Sequence, residues 1–352
     1  MDYKTLHGAA SLAASSRSTS GRNLAESARN LRAALPEGTS EAVARVEDLL
    51  VEVAGRAPER LVAPALEALT AGGKRLRPIL LVLSARMGEP EERPLLTVAT
   101  AVEILHTATL IHDDVVDKAR SRRGQPTTVA TYGREIAVAT GDYLFAESFH
   151  GLAEIGDPRL VRAFSEAAMG LAAGELEQFR SSRGPVEVGA YLEHIRMKTA
   201  GLFRASCVAG GTLGGLSLVQ IDALATYGQA LGLAFQMSDD VMDLVGKPGL
   251  MGKGVGADLA EGTVTLPVIF ALKEGDAATV GAVRRVLETP DPPPALLEAG
   301  IEAVLATDAI NKTEAWAFGE VDAAIEGLEL LPDGAERAIL EAIASEVVGR
   351  DA

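Results

Sequence analysis

The sequence has 352 residues, room for one large domain or two medium ones, and aromatic residues make up only 4% of it. Ala and Leu dominate, which favours helices. With 33 Lys and Arg against 49 Asp and Glu, the formal net charge is −16. This charge argues against a nucleic-acid partner, because binding to phosphate backbones needs a broad basic surface. The single Cys207 excludes an internal disulfide and fits a reducing compartment such as the cytoplasm.

The two ends of the sequence differ in pattern. Residues 1–38 are rich in Ser, Ala, Arg and Gly with weak periodicity, which predicts a flexible N-terminal arm. The arm contains Asp2 and Glu26 and has no apolar core, so we do not expect a secretory signal in it. Residues 39–352 carry helical periodicity and are predicted to form one domain. The sequence contains no uninterrupted apolar run of about 18 residues, so no membrane span is expected.

Helical patterns follow one another without strands between them, which predicts an all-α fold. The first helix is predicted to start after Thr39-Ser40 as its N-cap. Pro78 is predicted to restart a helix after a glycine turn, and Gly141 to open another. The remaining helices are predicted at about 59–70, 158–180, 187–207, 218–246, 263–274, 277–287, 294–306, 309–330 and 334–348.

One apolar helix carries three acidic residues in the sequence H-D-D-V-V-D. These are Asp113, Asp114 and Asp117. Asp113 and Asp117 are four residues apart and therefore project from one helix face. Two like charges at this spacing destabilise an isolated helix by roughly 0.2–0.5 kcal/mol, and a cation between them would reverse that effect.

The same pattern returns as Asp239, Asp240 and Asp243 in F-Q-M-S-D-D-V-M-D. A single copy would be better explained by a solvated helix face. Two copies, each inside an otherwise apolar helix, favour a functional site. Carboxylates are hard oxygen ligands suited to Mg²⁺, which is usually completed by waters and substrate phosphates.

Basic residues gather in short clusters within this acidic chain. In G-G-K-R-L-R-P two glycines bring the backbone close, and the cations Lys74, Arg75 and Arg77 are predicted to converge. The planar guanidinium of Arg, with its paired N–H donors, and the compact ammonium charge of Lys together suit a diphosphate. A second cluster spans residues 120–123, and Lys198 lies in an apolar run where an anion would have to compensate for its burial.

We call Asp113, Asp114 and Asp117 the first carboxylate group, and Asp239, Asp240 and Asp243 the second. With Mg²⁺ between these two groups and with Arg and Lys around them, such a site would bind a diphosphate. Metals and cations stabilise the charge that develops on a leaving group, so a diphosphate held in this way can leave a carbocation behind. The helices that carry the carboxylates are otherwise apolar, which predicts a hydrocarbon substrate. An allylic isoprenoid diphosphate meets both requirements.

The sequence resembles the trans-isoprenyl diphosphate synthases of the polyprenyl synthetase family from about residue 40 to its end. The motifs that carry the resemblance occur in the family's order. They are G-G-K-R-L-R-P, H-x-x-x-L-x-H-D-D-x-x-D, R-R-G-x-P-T, G-D-Y-L, K-T-A-x-L-F, F-Q-x-x-D-D-x-x-D and G-K-x-x-G-x-D-L-x-E-G. The resemblance implies one synthase domain over 39–352, an isoprenoid synthase type I bundle around a deep cavity. It also implies a homodimer that condenses an allylic diphosphate with isopentenyl diphosphate.

The resemblance assigns roles to individual residues. The implied Mg²⁺ ligands are Asp113, Asp117, Asp239 and Asp243, supported by Asp114 and Asp240. The implied isopentenyl diphosphate ligands are Lys74, Arg77, His106 and Arg123. The allylic diphosphate is assigned to Arg122, Lys198 and Lys253. Thr199 and Gln236 would turn oxygen dipoles toward the allylic cation, and Thr263 stands where many members have a lysine.

Product length is predicted from the residues before the first carboxylate group, which line the hydrocarbon tunnel in the family. Ala108 and Thr109 are both small, whereas an aromatic residue at either position would block the tunnel. Leu105 and Val102 lie about 12 and 16 Å further along the helix. We therefore expect a product longer than twenty carbons. The floor of the tunnel would be Leu105 or a phenylalanine of a facing helix, Phe145, Phe149 or Phe164.

Three alternatives remain. A geranylgeranyl diphosphate synthase would stop at twenty carbons. A class I terpene cyclase shares the fold and an aspartate motif but needs no isopentenyl site. A non-catalytic subunit would tune the product of a partner, although such subunits tend to lose aspartates or arginines and none is lost here. Peripheral membrane contact during product release also stays open.

Overall fold

The structure is a computed structural model that describes residues 33–122, 124–181, 186–246 and 255–349. Almost every regular element in these residues is a helix, so the all-α prediction is confirmed. The first nine helices are α1 Glu37–Gly55, α2 Glu59–Thr70, α3 Leu76–Arg86, α4 Glu92–Val116, α5 Thr128–Tyr132, α6 Arg134–Ile155, α7 Pro158–Ser181, α8 Val188–Ile195 and α9 Gly201–Leu213. The later ones are α10 Leu218–Val245, α11 Ala257–Glu261, α12 Leu266–Glu274, α13 Ala277–Glu288, α14 Pro294–Leu305, α15 Ala309–Leu328 and α16 Ala335–Val347. Two short antiparallel strands, β1 Ser121–Arg122 and β2 Gln125–Pro126, follow α4.

Two apolar cores organise the helices. One core is built on α4 and includes residues of α1, α3, α6 and α7. The other is built on α10 and includes residues of α12, α13, α15 and α16. Helix α9 contacts α3, α7 and α10 and contributes to both cores. The fold thereby fixes α4 and α10, the two helices that carry the acidic residues, relative to each other.

Several predicted helix starts are wrong. Helix α1 begins at Glu37, not after Thr39-Ser40, because the Ser40 N–H already bonds the Pro36 carbonyl at 2.9 Å. Helix α3 begins at Leu76, two residues before Pro78. Gly141 lies inside α6, which begins at Arg134. A Cβ at Gly141 would lie 2.3 Å from Nε2 of His112, so this glycine makes room for a neighbouring helix.

The helix predicted at 187–207 is interrupted by a π-helical segment, Arg196–Ala200, between α8 and α9. Helix α10 approaches this segment closely at Gly232, where a Cβ would lie 2.5 Å from the Cα of Ala200. Single π-helical turns occur frequently at functional sites. This one carries Lys198 and Thr199, two of the predicted site residues.

Helix α4 is also long and apolar enough to cross a membrane by length and composition alone. In its most apolar window of 18 residues, however, 72% of the residues are buried inside the fold. A core helix of a folded domain passes the same composition test, and α4 packs on α6 along its length. We therefore interpret α4 as a core helix.

Candidate active site

The first carboxylate group lies in the last turn of α4. Asp114 is buried, Asp113 is partly buried and Asp117 is exposed as the C-cap. Carboxylates at this end oppose the helix dipole, whose C-terminal end is negative. Arg122 on β1 offsets part of that repulsion, because its Nε donates to Oδ1 of Asp114 at 2.9 Å.

Asp113 lies among charges of both signs. The pKa of its carboxyl is raised to about 7, chiefly by burial; Lys198 and Arg122 act to lower this pKa, and Glu175 and Asp117 act to raise it. The ammonium of Lys198 is paired with Glu175 of α7. The structure therefore brings Lys198 and Arg122, the two described residues predicted for the allylic diphosphate, beside the first carboxylate group.

The second carboxylate group lies in the last two turns of α10, again at the negative end of a helix dipole. Asp239 remains accessible to solvent, but the protein that crowds it raises the pKa of its carboxyl to about 6. Asp243 is buried, and its two oxygens accept the N–H groups of Ala257 and Asp258 at 3.1 and 3.3 Å. This carboxylate therefore holds the start of α11 against α10.

Asp240 lies at the centre of a chain of hydrogen bonds. The hydroxyl of Tyr191 donates to Oδ2 at 2.6 Å, and the amide of Gln236 donates to Oδ1 at 2.9 Å. The hydroxyl of Thr199 donates to Oε1 of Gln236 at 2.7 Å. Burial and the charges of Asp258 and Asp239 nevertheless raise the pKa of Asp240 to about 8, against the two hydrogen bonds. The two predicted dipole residues, Thr199 and Gln236, are thus brought into contact.

The residues predicted for isopentenyl diphosphate lie beside the second carboxylate group. Lys74 and Arg77 both lower the pKa of Asp239. Nη1 of Arg77 donates to Nε2 of His106 at 3.1 Å, and its guanidinium lies 4.5 Å from the ring centroid of Phe203. The structure therefore separates the predicted ligands into two groups, one beside each set of carboxylates.

The predicted convergence of three cations is wrong for Arg75, which turns away into the core. Its guanidinium bonds Glu103 at 2.6 Å, both carboxylate oxygens of Glu47 at 3.0 Å, and the Leu69 carbonyl at 2.7 Å. Arg75 adopts a left-handed backbone with φ of 51°, ahead of α3. Its side chain is buried against residues of α1 and α4.

An apolar cavity of about 480 Å³ begins at the first carboxylate group. His112, Asp113 and Glu175 form its polar end. Its other walls come from α4, α6 and α7: Thr109, Val116, Phe145, Ala168, Leu171, Ala172 and Leu176. Of the predicted chain-length residues only Thr109 lines it, whereas Ala108, Leu105 and Val102 are fully buried in the α4 core. Of the three candidate phenylalanines, Phe145 lines the wall, Phe149 packs against its ring and Phe164 is fully buried.

Within the described part of the chain, no three His, Cys, Asp or Glu side chains converge closely enough to hold a metal ion by themselves. The donors are nonetheless carboxylates, the ligands that hard divalent cations prefer, and they are held in like-charged pairs that a cation would relieve. A metal completed by substrate phosphates fits such an open donor set. The residues present therefore fit the predicted Mg²⁺.

Two predicted ligands, Arg123 and Lys253, lie outside the described residues. Conversely, sequence reasoning assigned no role to Glu175, Tyr191 or Asp258, which the structure brings to the carboxylate groups. A signal existed for two of them. Tyr191 precedes Lys198 by two helical turns, and Asp258 belongs to the G-x-D-L motif quoted above.

The polyprenyl synthetase family model matches residues 58–301. Heptaprenyl diphosphate synthase component 2 of Geobacillus stearothermophilus is 37% identical over 314 residues, which cover 89% of this chain and 97% of that protein. The crystal structure of a decaprenyl diphosphate synthase from Rhodobacter capsulatus has a TM-score of 0.82 at 36% identity, covering 91% of this chain and 98% of that one. A polyprenyl synthase from Caulobacter crescentus CB15, solved with calcium and isoprenyl diphosphate, has a TM-score of 0.86 at 31% identity, covering 96% and 100%.

The chain belongs to the polyprenyl synthetase family. Both the family resemblance and the enzyme class predicted from the sequence, a prenyltransferase that makes polyprenyl diphosphates, are therefore confirmed.

Proposed function

We propose that this enzyme condenses an allylic diphosphate with isopentenyl diphosphate, head to tail and in trans, until its product is longer than twenty carbons. The observation that carries this proposal is the cavity of about 480 Å³ between α4, α6 and α7. Its polar end is at Asp113 and Glu175, and its walls are otherwise apolar. A diphosphate joined to a hydrocarbon chain matches both the charge and the shape of that cavity.

Two diphosphates are assigned to two groups of cations. Lys198 and Arg122, beside Asp113, would bind the allylic diphosphate, with Lys253 as a third ligand. The other diphosphate would be bound by Lys74, Arg77, His106 and Arg123. The two diphosphates would therefore lie on different carboxylate groups, with their carbon ends directed toward each other.

The metal assigned to the carboxylates is Mg²⁺. We assign Asp113, Asp117, Asp239 and Asp243 as its ligands and Asp114 and Asp240 as supporting residues. Bound there, Mg²⁺ would neutralise negative charge on the leaving diphosphate. The Caulobacter polyprenyl synthase was solved with calcium and isoprenyl diphosphate, which supports a divalent cation in the same role.

The chain's own residues would stabilise the carbocation once the diphosphate leaves. The hydrogen bond between Thr199 and Gln236 places two uncharged oxygens side by side, and partial negative charge on such oxygens stabilises a developing cation. The double bond of isopentenyl diphosphate then attacks the cation, and a proton is lost from the adjacent carbon. The released diphosphate is the base that we assign to this proton.

The expected product length rests on Thr109. This small side chain lines the cavity next to Asp113, so a growing hydrocarbon can pass it. One helical turn deeper, Leu105 on α4 and Phe164 on α7 are both fully buried in one core, and we assign the floor to them. The heptaprenyl and decaprenyl synthases that the chain resembles are named for products longer than twenty carbons.

The working assembly that we propose is a homodimer in the cytoplasm. The Geobacillus relative is named as one component of its enzyme, which makes a second, different subunit the alternative. Activity of the purified chain alone distinguishes the two, because a chain that needs another subunit will not elongate by itself.

The test is an incubation of the purified chain with Mg²⁺, labelled isopentenyl diphosphate and farnesyl diphosphate, followed by chromatography of the dephosphorylated alcohols. We expect a ladder that ends at one dominant length above twenty carbons. A ladder ending at twenty would identify a geranylgeranyl diphosphate synthase. No incorporation, with hydrocarbon released from the allylic substrate, would identify a terpene cyclase.

A further inference from the structure

A second cavity lies at the C-terminal end of α4 and is lined by residues of that end, of α5 and of the start of α6. Its volume is about 440 Å³, and eight of the residues that the structure describes line it. They are Val115, Val116, Lys118, Ala119, Arg120, Val129, Ala130 and Arg134. Three of them are cations, five are apolar and none is acidic. In a chain with a net charge of −16, a cavity lined by cations and no carboxylate is an unusual local environment.

The three cations are available to a ligand. Within the described residues, no hydrogen bond or ion pair engages the side chains of Lys118, Arg120 or Arg134, and all three are exposed. The nearby Arg122, in contrast, is held by Asp114. Three unpaired cations around one cavity repel one another, so an anion bound among them would be attracted to all three.

Two of these cations occupy positions that disfavour them. Lys118 has a φ of 53°, the left-handed conformation that follows a helix end and is usually taken by glycine. Arg134 is the first residue of α6, at the positive end of the helix dipole. Lys118 and Arg134 line the same cavity, and a loss of stability at two such positions is typical of a functional site.

The backbone at the rim of the cavity is fixed by hydrogen bonds. The hydroxyl of buried Thr127 donates to the carbonyl of Ala119 at 2.6 Å, and its N–H donates to the carbonyl of Arg120 at 3.2 Å. The N–H of Ala119 bonds the carbonyl of Asp114 at 3.0 Å. The positions from which Lys118 and Arg120 project are therefore set before any ligand arrives.

We propose that this cavity, between the end of α4, α5 and the start of α6, binds the phosphate or diphosphate headgroup of an amphiphile. The cations at Lys118, Arg120 and Arg134 contact the headgroup, and the first part of its hydrocarbon chain packs on Val115, Val116 and Val129. Two sources share this chemistry: a second molecule of a prenyl diphosphate from solution, and an anionic phospholipid at a membrane surface.

Among the described residues, no carboxylate of either group lines this cavity, and the proposal does not depend on the condensation reaction. Val116 is the one described residue that lines both this cavity and the larger one beside Asp113. A ligand bound here would therefore lie against the outer side of the wall that the first cavity uses.

The first arm of the test counts bound farnesyl diphosphate per chain by equilibrium dialysis with Mg²⁺. We expect two molecules per chain for the native protein and one for Lys118→Gln/Arg120→Gln/Arg134→Gln. The matched control, Arg60→Gln/Arg284→Gln/Arg285→Gln, removes the same charge from exposed positions elsewhere and should keep two. If the carboxylate site did not bind farnesyl diphosphate at all, the native protein would bind one molecule and the triple variant none. Failure of the proposed function can therefore be distinguished from failure of the second binding site.

The second arm measures sedimentation with vesicles of phosphatidylglycerol in phosphatidylcholine, with pure phosphatidylcholine as the reference. Binding to the anionic vesicles that weakens at least about tenfold in the triple variant, but not in the control, assigns the phospholipid source. If the triple variant loses binding only in the dialysis arm, the ligand is the prenyl diphosphate. Equal binding of the native protein and the triple variant in both arms overturns the proposal, as does an equal loss in the control.

A third variant tests the apolar wall. Ala130→Phe fills the cavity while it keeps all three cations, so it should remove the second molecule of farnesyl diphosphate, or the vesicle binding, whichever the native protein shows. Unchanged binding in this variant would contradict a role for the hydrocarbon chain. Circular dichroism of each variant verifies that the helices are intact.

Discussion

Both carboxylate oxygens of Asp240 already accept hydrogen bonds from side chains, those of Tyr191 and Gln236. These bonds have a consequence for the glutamine amide. With its N–H₂ group directed at Asp240, the amide must direct Oε1 at Thr199, as observed. Tyr191 is therefore a positioning residue that acts through Asp240 on the orientation of Gln236.

Replacing Tyr191 with Phe should lower kcat about tenfold and leave the KM for isopentenyl diphosphate unchanged. A typical hydrogen bond contributes about 0.5–1.5 kcal/mol, and the upper end of that range is about tenfold in rate. In the proposed mechanism only the step that forms the cation uses the Gln236 oxygen. Steady-state kinetics on the variant provide the measurement. Tyr132→Phe is the matched control, since Tyr132 bonds Glu67 on an exposed surface; an equal loss in both variants would contradict this role.

Cys207 is fully buried, and burial raises the pKa of its thiol to about 12. The thiolate is the nucleophile, so the folded protein should not react with iodoacetamide at pH 8. Mass spectrometry of the intact chain measures the modification, and the same treatment in denaturant should label the residue fully. Rapid labelling of the folded protein would show that the packing of α9 is more open than described.

The turn between α2 and α3 is held by a buried ion pair. Arg75 is only 5% exposed, and its two carboxylate partners come from α1 and α4. The ion pair thus joins three segments of the fold at the point where Lys74 and Arg77 leave the backbone. A buried charge of this kind is strongly stabilised by its partners and becomes costly when one of them is removed.

The Glu103→Gln variant should lower the free energy of unfolding by about 3–5 kcal/mol, because it leaves the charge of Arg75 less compensated in the core. Urea unfolding followed by circular dichroism measures the change. The control is Asp48→Asn, which removes an exposed partner of Arg45 and should change stability by at most about 1 kcal/mol. Comparable losses in the two variants would contradict a structural role for the buried pair.

Helices with continuous periodicity could be predicted from the sequence, as α4, α10 and α15 show. The errors occur where a residue has a tertiary reason for its identity. Gly141 resembled a helix start, but its missing side chain makes room for His112. The π-helical segment before α9 also has no local signal, because the approach of α10 at Gly232 is a contact between distant parts of the chain.

The carboxylate groups could be predicted because each is contiguous in sequence. The contacts these groups make could not be predicted, since Tyr191 and Asp240 are 49 residues apart. The same holds for the buried pair of Arg75 and Glu103, which are 28 residues apart. Sequence spacing places residues on a helix face but does not determine which faces meet. For this reason Arg75 was predicted beside Lys74 and Arg77, whereas the fold turns it into the core.

In the described part of this acidic chain, an apolar cavity of about 480 Å³ starts at the first carboxylate group. In the proposed function, substrate charge would be held at the ends of α4 and α10, and the hydrocarbon would extend between α4, α6 and α7. On this account product length depends on side chains along the cavity, and the first of them is Thr109.

The most direct test of this account is the product length of Thr109→Phe compared with the native enzyme. Chromatography of the dephosphorylated alcohols should show a native product above twenty carbons and a variant product of twenty or fewer, because the ring closes the cavity beside Asp113. Thr70→Phe, exposed at the end of α2, should leave the length unchanged. An active Thr109→Phe enzyme that makes the native product would contradict the placement of the hydrocarbon in this cavity.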